Sequence, residues 1–394
     1  MLRAITIKTA SEEIVVETDD SLTLEEVLRT KRIPPNLFQG YTKAGKVVHP
    51  IPLNTLIFAV PLGESIMLRC IRNTDLRDVL PQKTIYNKVS NPVVAISEFN
   101  FGDNGCSQII HELNTDSAKE LVKGKVVDFV KKNSGTDTVI VGISGGGDSN
   151  TLAQGLKAST LKNPNKHFIF FTIIFEPIWA ASAAERASEL CRTHDLTHFI
   201  YGNEEIENLL EMKESLNNFY KEYCKKFGSN TSHFFGTYLI SLVARKLCKK
   251  FNTNEYILGF NREDLLSDLL FSLINGQTPL RFPIRNFGSI RLLMPLWDIS
   301  KIILDACYPK YSLSNYEERK DDQSTYQRNI IYYLAHSVED VYPNLGLSLM
   351  EGAQKIFTNQ WPELAAEDDL DIFPSKYADP KKLQEVKNFL KKYF

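Results

Sequence analysis

A glycine-rich turn between an apolar segment and a helical segment constrains the fold of this chain more than any other feature. The apolar run 138–143 is typical of a buried strand, and the pattern of 151–156 is typical of a helix. The six residues that follow the apolar run, called the glycine loop below, are Ser144, Gly145, Gly146, Gly147, Asp148 and Ser149. A ligand can approach a glycine backbone closely because no Cβ intervenes. The helix that follows presents unpaired N–H groups and a positive dipole end. The sequence therefore predicts an anion-binding turn, with phosphate as the expected anion.

The glycine loop has neither the Lys-Ser/Thr pair of a Walker loop nor the spaced glycines of a dinucleotide-binding turn. Its pattern Ser-Gly-Gly-x-Asp-Ser resembles the signature of the N-type ATP pyrophosphatases, also called the PP-loop family. The resemblance implies that the loop binds the pyrophosphate end of ATP while AMP is transferred to a substrate oxygen. It also implies that all six loop residues bind ATP, with Asp148 and Ser149 as catalytic residues. The alternative is a glycine turn that only joins a strand to a helix.

A second polar segment, 259–264, follows a predicted strand and opens a helix. It resembles the Gly-His-Asn-x-Asp-Asp segment of PP-loop enzymes that modify tRNA, with a phenylalanine in place of the histidine. The resemblance implies that Gly259 and Asn261 bind the nucleotide and that Asp264 is a catalytic acid. Asp148 and Asp264 are the predicted ligands of Mg²⁺, which prefers oxygen. A structural alternative stays open, because Asn261 also suits a helix N-cap and acidic residues complement the helix dipole.

Two arginines, Arg281 and Arg328, are predicted to contact an anionic part of the substrate. A guanidinium binds phosphate or carboxylate through two hydrogen bonds. The segments around these residues resemble the family's substrate loop and a stretch of the lysidine synthetases and related thiolases. A second arginine of that stretch is missing, and Tyr332 and Tyr333 stand in its place. A surface ion pair is the open alternative for both arginines.

Alternating predicted strands and helices indicate an α/β protein with a doubly wound parallel sheet, in which ligands bind beyond the carboxyl ends of the strands. Prolines and glycines interrupt the region between the first predicted domain and this sheet, so a linker is expected there. The C-terminal segment 381–394 is amphipathic and is expected to dock on the body or on a partner. The predicted domains are a small α+β domain at 1–80, a linker at 81–116, the PP-loop ATP pyrophosphatase domain at 117–300 and a helical C-terminal region at 301–394.

The predicted N-terminal domain has the order hairpin, helix, further strands. This order resembles the β-grasp fold of ubiquitin and the small sulfur carriers. Sulfur carriers end in a free Gly-Gly tail, whereas here the chain continues through 71–76 without one. The expected role is therefore to recruit a protein partner or a substrate.

Charge and cysteine spacing narrow the classes of function. The formal net charge is −2, without the basic excess that is usual in proteins that bind nucleic acids. The six cysteines include no Cys-x-x-Cys pair, which disfavours thiolation that depends on an iron–sulfur cluster. Cys106, in a glycine-containing segment, is the candidate for a reactive thiol. No apolar run is long enough to cross a bilayer, and the expected location is the cytoplasm.

The predicted reaction is adenylation, with ATP and Mg²⁺, of a substrate carbonyl or carboxylate oxygen, with release of pyrophosphate. An amine or sulfur nucleophile then attacks the carbon that carries this oxygen and displaces AMP. Three hypotheses stay open. The first is a modifier of a tRNA base, which the segments around Gly259 and Arg328 favour. The second is a small-molecule ligase that forms an amide or thioamide, which the near-neutral charge favours. The third is an ATP-binding module, without catalysis, that recruits a protein partner.

Overall fold

A computed structural model describes residues 2–9, 13–31, 33, 35–71, 83–102, 105–227, 232–276, 278–318, 326–341, 344–358 and 380–394. The chain divides into two compact units. The first comprises Met1–Asn87 and Ile96–His111, and the second comprises Lys88–Ala95 and Glu112–Phe394. Among the described residues, no helix is long and apolar enough to span a membrane.

The first unit contains a five-stranded mixed sheet and a short helix. The strands are β1 (Leu2–Lys8), β2 (Glu13–Asp19), β3 (Phe38–Ala44), β4 (Val47–Ile51) and β5 (Ser65–Cys70), and the helix is α1 (Leu24–Thr30). The strand order is β2-β1-β5-β3-β4, with β1 and β5 parallel and the other pairs antiparallel. Thr23 and Glu26 form a capping box that starts α1, which buries Leu24, Val27 and Leu28. Alternation of buried and exposed residues along β5 places one face of the sheet in this core.

The segment predicted as a linker contains three strands. They are β6 (Lys83–Asn87), β7 (Val94–Gly102) and β8 (Gly105–Leu113), in the order β6-β8-β7. The glycines and Pro92 that suggested a linker lie between strands or at strand ends, where turns need them. The prolines and glycines therefore mark turns, and the segments between them form strands of five to nine residues.

The second unit contains a six-stranded sheet, which confirms the predicted α/β class with a parallel sheet. Its strands are β9 (Thr138–Gly142), β10 (His167–Ile173), β11 (Thr197–Tyr201), β12 (Glu255–Leu258), β13 (Ile284–Phe287) and β14 (Ile290–Leu293). The order is β11-β10-β9-β12-β14-β13, and only β13 is antiparallel to its neighbour. The chain moves outward from β9 to β11 and returns to β12 on the other side of β9. The strand order thus reverses between β9 and β12, and in open sheets of this kind ligands bind beyond the carboxyl ends at such a reversal.

Twelve described helices belong to the second unit. They are α2 (Thr115–Asn133), α3 (Gly147–Lys162), α4 (Ala181–Thr193), α5 (Asn203–Leu210), α6 (Leu216–Phe227), α7 (Ser232–Lys250), α8 (Arg262–Ile274), α9 (Lys301–Cys307), α10 (Pro309–Glu318), α11 (Tyr326–Val341), α12 (Leu345–Phe357) and α13 (Pro380–Leu390). The C-terminal segment docks on the body, as expected, because Leu390 and Tyr393 are fully buried. The ring of Tyr393 lies 4.7 Å from that of Phe219 on α6, centroid to centroid.

Helices α2 and α3 approach so closely at Gly155 that an alanine there is expected to destabilise the protein. A Cβ on Gly155 would lie 2.6 Å from the Cβ of Val126. Overpacking of this kind lowers the free energy of unfolding by about 1–3 kcal/mol. Gly124 on α2 is the matched control, since a Cβ there meets nothing within 4 Å. Gly124→Ala is expected to stabilise by up to about 1 kcal/mol. Urea unfolding measures the free energy of unfolding of both variants. Equal values for the two variants would contradict the close packing of α2 and α3.

Candidate functional site

The glycine loop joins β9 to α3 at the point where the strand order reverses. The backbone N–H of Ser144 donates to Ser149 Oγ at 2.9 Å, which closes the loop on itself. Gly145 has φ +74°, and a Cβ there would lie 2.6 Å from Ala187 N on α4. Only glycine adopts this positive φ without strain and also leaves room for the backbone of α4. Gly146 is the N-cap of α3 and provides no side-chain hydrogen bond, so the first N–H groups of α3 have no side-chain cap from this position.

The second segment begins at the end of β12, the strand beside β9. Asn261 is the N-cap of α8, and Asp264 N donates to its Oδ1 at 2.9 Å. The Asn261 amide also donates from Nδ2 to Asp148 Oδ2 at 3.1 Å. The cap interpretation is therefore correct, and the same side chain connects the two polar segments. Because β9 and β12 are adjacent and parallel, residues 113 positions apart meet at their carboxyl ends.

A lysine that the sequence interpretation did not single out lies between the carboxylates of this site. Lys301, the first residue of α9, places its Nζ 2.9 Å from Asp148 Oδ1 and also pairs with Asp305 one turn later. Its backbone N–H donates to Glu263 Oε2 at 2.8 Å. Burial by itself lowers the pKa of Lys301, but the attraction of Asp148 and Asp305 overcomes this effect and holds the pKa above its ordinary value. The side chain is therefore a fixed ammonium in the centre of the site.

The two acidic residues in the first turn of α8 have raised pKa values. Asp264 retains some exposed surface, yet burial and then the neighbouring charge of Asp148 raise its pKa to about 6. Burial raises the pKa of Glu263 to about 7. The Tyr332 hydroxyl donates to Asp264 Oδ1 at 3.1 Å. Tyr332 thus contacts a site carboxyl directly, without supplying a charge.

The raised pKa of Asp264 predicts how its contribution to stability changes with pH. Between about pH 4 and pH 6 the folded protein keeps a proton that the unfolded chain has already released, so the free energy of unfolding falls as the pH rises through this range. Asp264→Asn removes the titration. Between pH 4 and pH 8 the free energy of unfolding is expected to fall by about 2 kcal/mol more in the wild type than in the variant. Urea unfolding at both pH values measures the difference, and parallel profiles would contradict the raised pKa.

Other predicted site residues stay apart from this cluster or lie outside the described side chains. Gly259 packs against the core, and a Cβ there would make only ordinary contacts, the nearest at 3.6 Å to Leu152 Cδ2. Arg281 is exposed, and its carbonyl accepts a hydrogen bond from Arg285 Nε at 3.1 Å. Arg328 lies on α11 and Cys106 on β8, but their side chains lie outside the described part of the chain.

Lys301 and Asp305 carried one signal that the sequence interpretation did not use. They are spaced i,i+4 with opposite charges, which favours a helix face with an ion pair. Such pairs are common on solvated helices, so the spacing alone does not indicate a site. Ser312 and Asn315 on α10 carried no local signal at all, although both side chains lie against the glycine loop.

The described carboxylates suit Mg²⁺ better than a metal that needs a full protein ligand set. Among the residues that the structure describes, no group of three or more His, Cys, Asp or Glu side chains is placed to hold a metal ion. Asp148 and Asp264 are close enough for one charge to raise the pKa of the other group. Mg²⁺ at nucleotide sites is bound by one or two carboxylates together with phosphate oxygens and waters. Two carboxylates beside the glycine loop fit that pattern.

Comparison with known proteins shows similarity only at the level of solved structures. No protein-family model and no curated protein matches the sequence. The U34-tRNA thiolase NcsA from Methanococcus maripaludis with its [4Fe-4S] cluster is similar at 15% identity and TM-score 0.45, over 62% of this chain and 80% of that one.

Two synthetases are also similar to this chain. One is an NH3-dependent NAD synthetase from Campylobacter jejuni, with 19% identity and TM-score 0.36, over 64% of this chain and 99% of that one. The other is an NAD+ synthetase from Burkholderia pseudomallei, with 11% identity and TM-score 0.35, over 63% and 88%. The fold class rests on the sheet order described above.

Proposed function

We propose that the protein is an ATP-dependent adenylating enzyme of the PP-loop type, which converts ATP to AMP and pyrophosphate. One observation carries the proposal. Asn261 Nδ2 lies 3.1 Å from Asp148 Oδ2 and so joins the end of β12 to the glycine loop after β9. Two segments that resemble the same family in sequence therefore meet at the reversal of strand order, the expected place for a ligand in this class of sheet.

The proposed roles follow from the charges around the glycine loop. The uncapped N–H groups at the start of α3 would bind the β- and γ-phosphates of ATP. Asp148 and Asp264 would hold Mg²⁺, which neutralises phosphate charge when bound. Ser149 keeps the loop closed through the N–H of Ser144. Lys301 supplies a positive charge that can stabilise negative charge on the α-phosphate during transfer of AMP.

The acceptor is proposed to be a carbonyl oxygen of a tRNA base, activated for attack by an amine or sulfur nucleophile. The segments around Asn261 and Arg328, which resemble tRNA-modifying enzymes of the family, support this choice. A small-molecule acceptor, activated at a carbonyl or carboxylate oxygen, is the second candidate. The net charge of −2 favours it, since a large RNA ligand usually requires an excess of positive charge.

The first unit is proposed to be a β-grasp-like module that recruits a protein partner. The strand order β2-β1-β5-β3-β4, with a parallel central pair, supports this proposal. Recruitment is compatible with either acceptor.

The experiment that tests the proposed function follows ATP labelled at the α-phosphate. The full chain is incubated with Mg²⁺ and either total tRNA or a metabolite extract, each from cells that lack the gene. We expect pyrophosphate to form, and the labelled phosphate to be transferred, only with the fraction that contains the acceptor. Free AMP forms when an amine or sulfur nucleophile displaces it, and ribonuclease treatment identifies a tRNA acceptor. ATP binding without pyrophosphate release in any fraction would contradict the enzyme and favour a recruitment module.

A further inference from the structure

Helix α10 lies directly against the glycine loop. A Cβ on Gly147 would be 2.0 Å from Ser312 Oγ, and a Cβ on Gly146 would be 3.4 Å from Asn315 Oδ1. The second and third glycines of the loop therefore leave room for two polar side chains of this helix. From the sequence, the absence of Cβ atoms at these glycines was expected to make space only for a ligand.

The hydroxyl of Ser312 is buried without a hydrogen bond. Ser312 is 9% exposed, and Ser312 Oγ has no hydrogen-bond partner among the described residues. Buried polar groups in folded proteins are almost always paired, and an unpaired hydroxyl destabilises the fold. An alanine at this position would avoid that penalty and would still fill the space beside Gly147. Packing alone therefore does not explain a serine here.

Helix α10 is held in place by a second helix that touches the same loop. Glu318, the last residue of α10, accepts a hydrogen bond from Ser182 Oγ at 2.6 Å and pairs with Arg186. Both partners lie on α4, whose backbone at Ala183 and Ala187 encloses Gly145. The glycine loop thus lies between α4 and α10, and the position of Ser312 above it is fixed by these contacts.

We propose that Ser312 is a phosphate ligand, whose hydroxyl donates a hydrogen bond to an oxygen of the pyrophosphate end of the nucleotide. Asn315, whose side-chain amide lies beside Gly146, would supply Nδ2 as a second donor from the same helix. The N–H groups of α3 and the hydroxyl of Ser312 then bind the anion from different elements, and the unpaired hydroxyl gains its partner only when the ligand is bound. This inference rests on the proposed function and adds a residue that recognises the β- and γ-phosphates.

The test compares Ser312→Ala with Ser314→Ala, a matched control on the same helix. The probes are Mg²⁺-pyrophosphate and ATP, with binding measured by calorimetry and the melting temperature measured without ligand. Loss of one hydrogen bond to a charged group is expected to weaken the binding of both probes by about tenfold in Ser312→Ala. The melting temperature of this variant should stay equal or rise, because a buried unpaired hydroxyl is removed. Ser314→Ala should bind as the wild type does, and Asn315→Ala should lose affinity in the same direction.

The outcomes separate this inference from the proposed function. Equal pyrophosphate affinity in the wild type and Ser312→Ala would overturn the inference and leave the proposed function standing. Weaker binding together with a lower melting temperature would show that Ser312 acts through packing, which also overturns it. No binding of pyrophosphate or ATP to the wild type would overturn the proposed function and the inference with it.

Discussion

Asp148→Ala is expected to lower the rate of AMP formation at least about 100-fold while the fold stays intact. Asp148 is the only acidic residue of the glycine loop, and its two carboxylate oxygens contact Asn261 and Lys301. Removing the carboxylate takes away one proposed Mg²⁺ ligand. It also releases Lys301 from the position that faces the loop. Both losses affect stabilisation of the charge that develops during transfer.

The fold is expected to survive this change because the remaining contacts hold the neighbouring elements. Lys301 keeps its ion pair with Asp305, and Asn261 keeps its capping box with Asp264. AMP and pyrophosphate are measured together with the circular dichroism spectrum and the melting temperature. Asp128→Ala on the exposed face of α2 is the matched control and should leave the rate unchanged. A fully active Asp148→Ala variant would contradict the role assigned to the loop.

Lys301→Met is expected to lower the free energy of unfolding by about 1–3 kcal/mol near pH 8, because it leaves two half-buried carboxylates without their positive partner. Lys301 pairs with Asp148 and Asp305, and Asp148 already raises the pKa of Asp264. Lys301 counteracts the rise in the pKa of Asp264, so the pKa of Asp264 should rise further without the lysine. The part of the stability deficit that comes from Asp264 should therefore grow as the pH rises above about 6.

Magnesium distinguishes this site from an ordinary ion pair. If Asp148 and Asp264 bind Mg²⁺, the ion should raise the melting temperature of Lys301→Met more than that of the wild type. Lys123→Met, which breaks an exposed pair with Glu120 on α2, is the matched control. The free energy of unfolding of that variant should fall by less than about 1 kcal/mol, and Mg²⁺ should not change its melting temperature relative to the wild type. A Lys301→Met variant with wild-type stability at pH 8 would contradict the charge arrangement described here.

The parts of the fold that sequence interpretation predicted correctly are those with strong local signals. The apolar run 138–143 contains β9, and the helical pattern of 151–156 lies within α3. Continuous apolar strands and periodic helices are recognisable without knowledge of their neighbours. The strands between 83 and 113 are closely flanked by prolines and glycines, which are equally typical of a linker and of the turns between strands.

The candidate site was predictable to the extent that its chemistry lies in contiguous residues. Asp148, Asn261 and Asp264 were singled out, and the structure brings them together. The roles of Gly259 and Arg281 stay predictions: a Cβ on Gly259 would make only ordinary contacts, and the side chain of Arg281 is exposed. A pattern of neighbouring residues predicts the local conformation of the chain, but it does not predict which distant side chains meet at one site.

The amino-acid sequence by itself determined that a glycine loop joins a buried strand to a helix, because apolar runs, adjacent glycines and helix periodicity act within a few residues. Only the tertiary structure decided that Lys301 pairs with Asp148, that Tyr332 contacts Asp264 and that Ser312 faces Gly147. These contacts join residues 68 or more positions apart. They depend on the return of the chain to β12 beside β9 and on the packing of α9, α10 and α11 that follows from it.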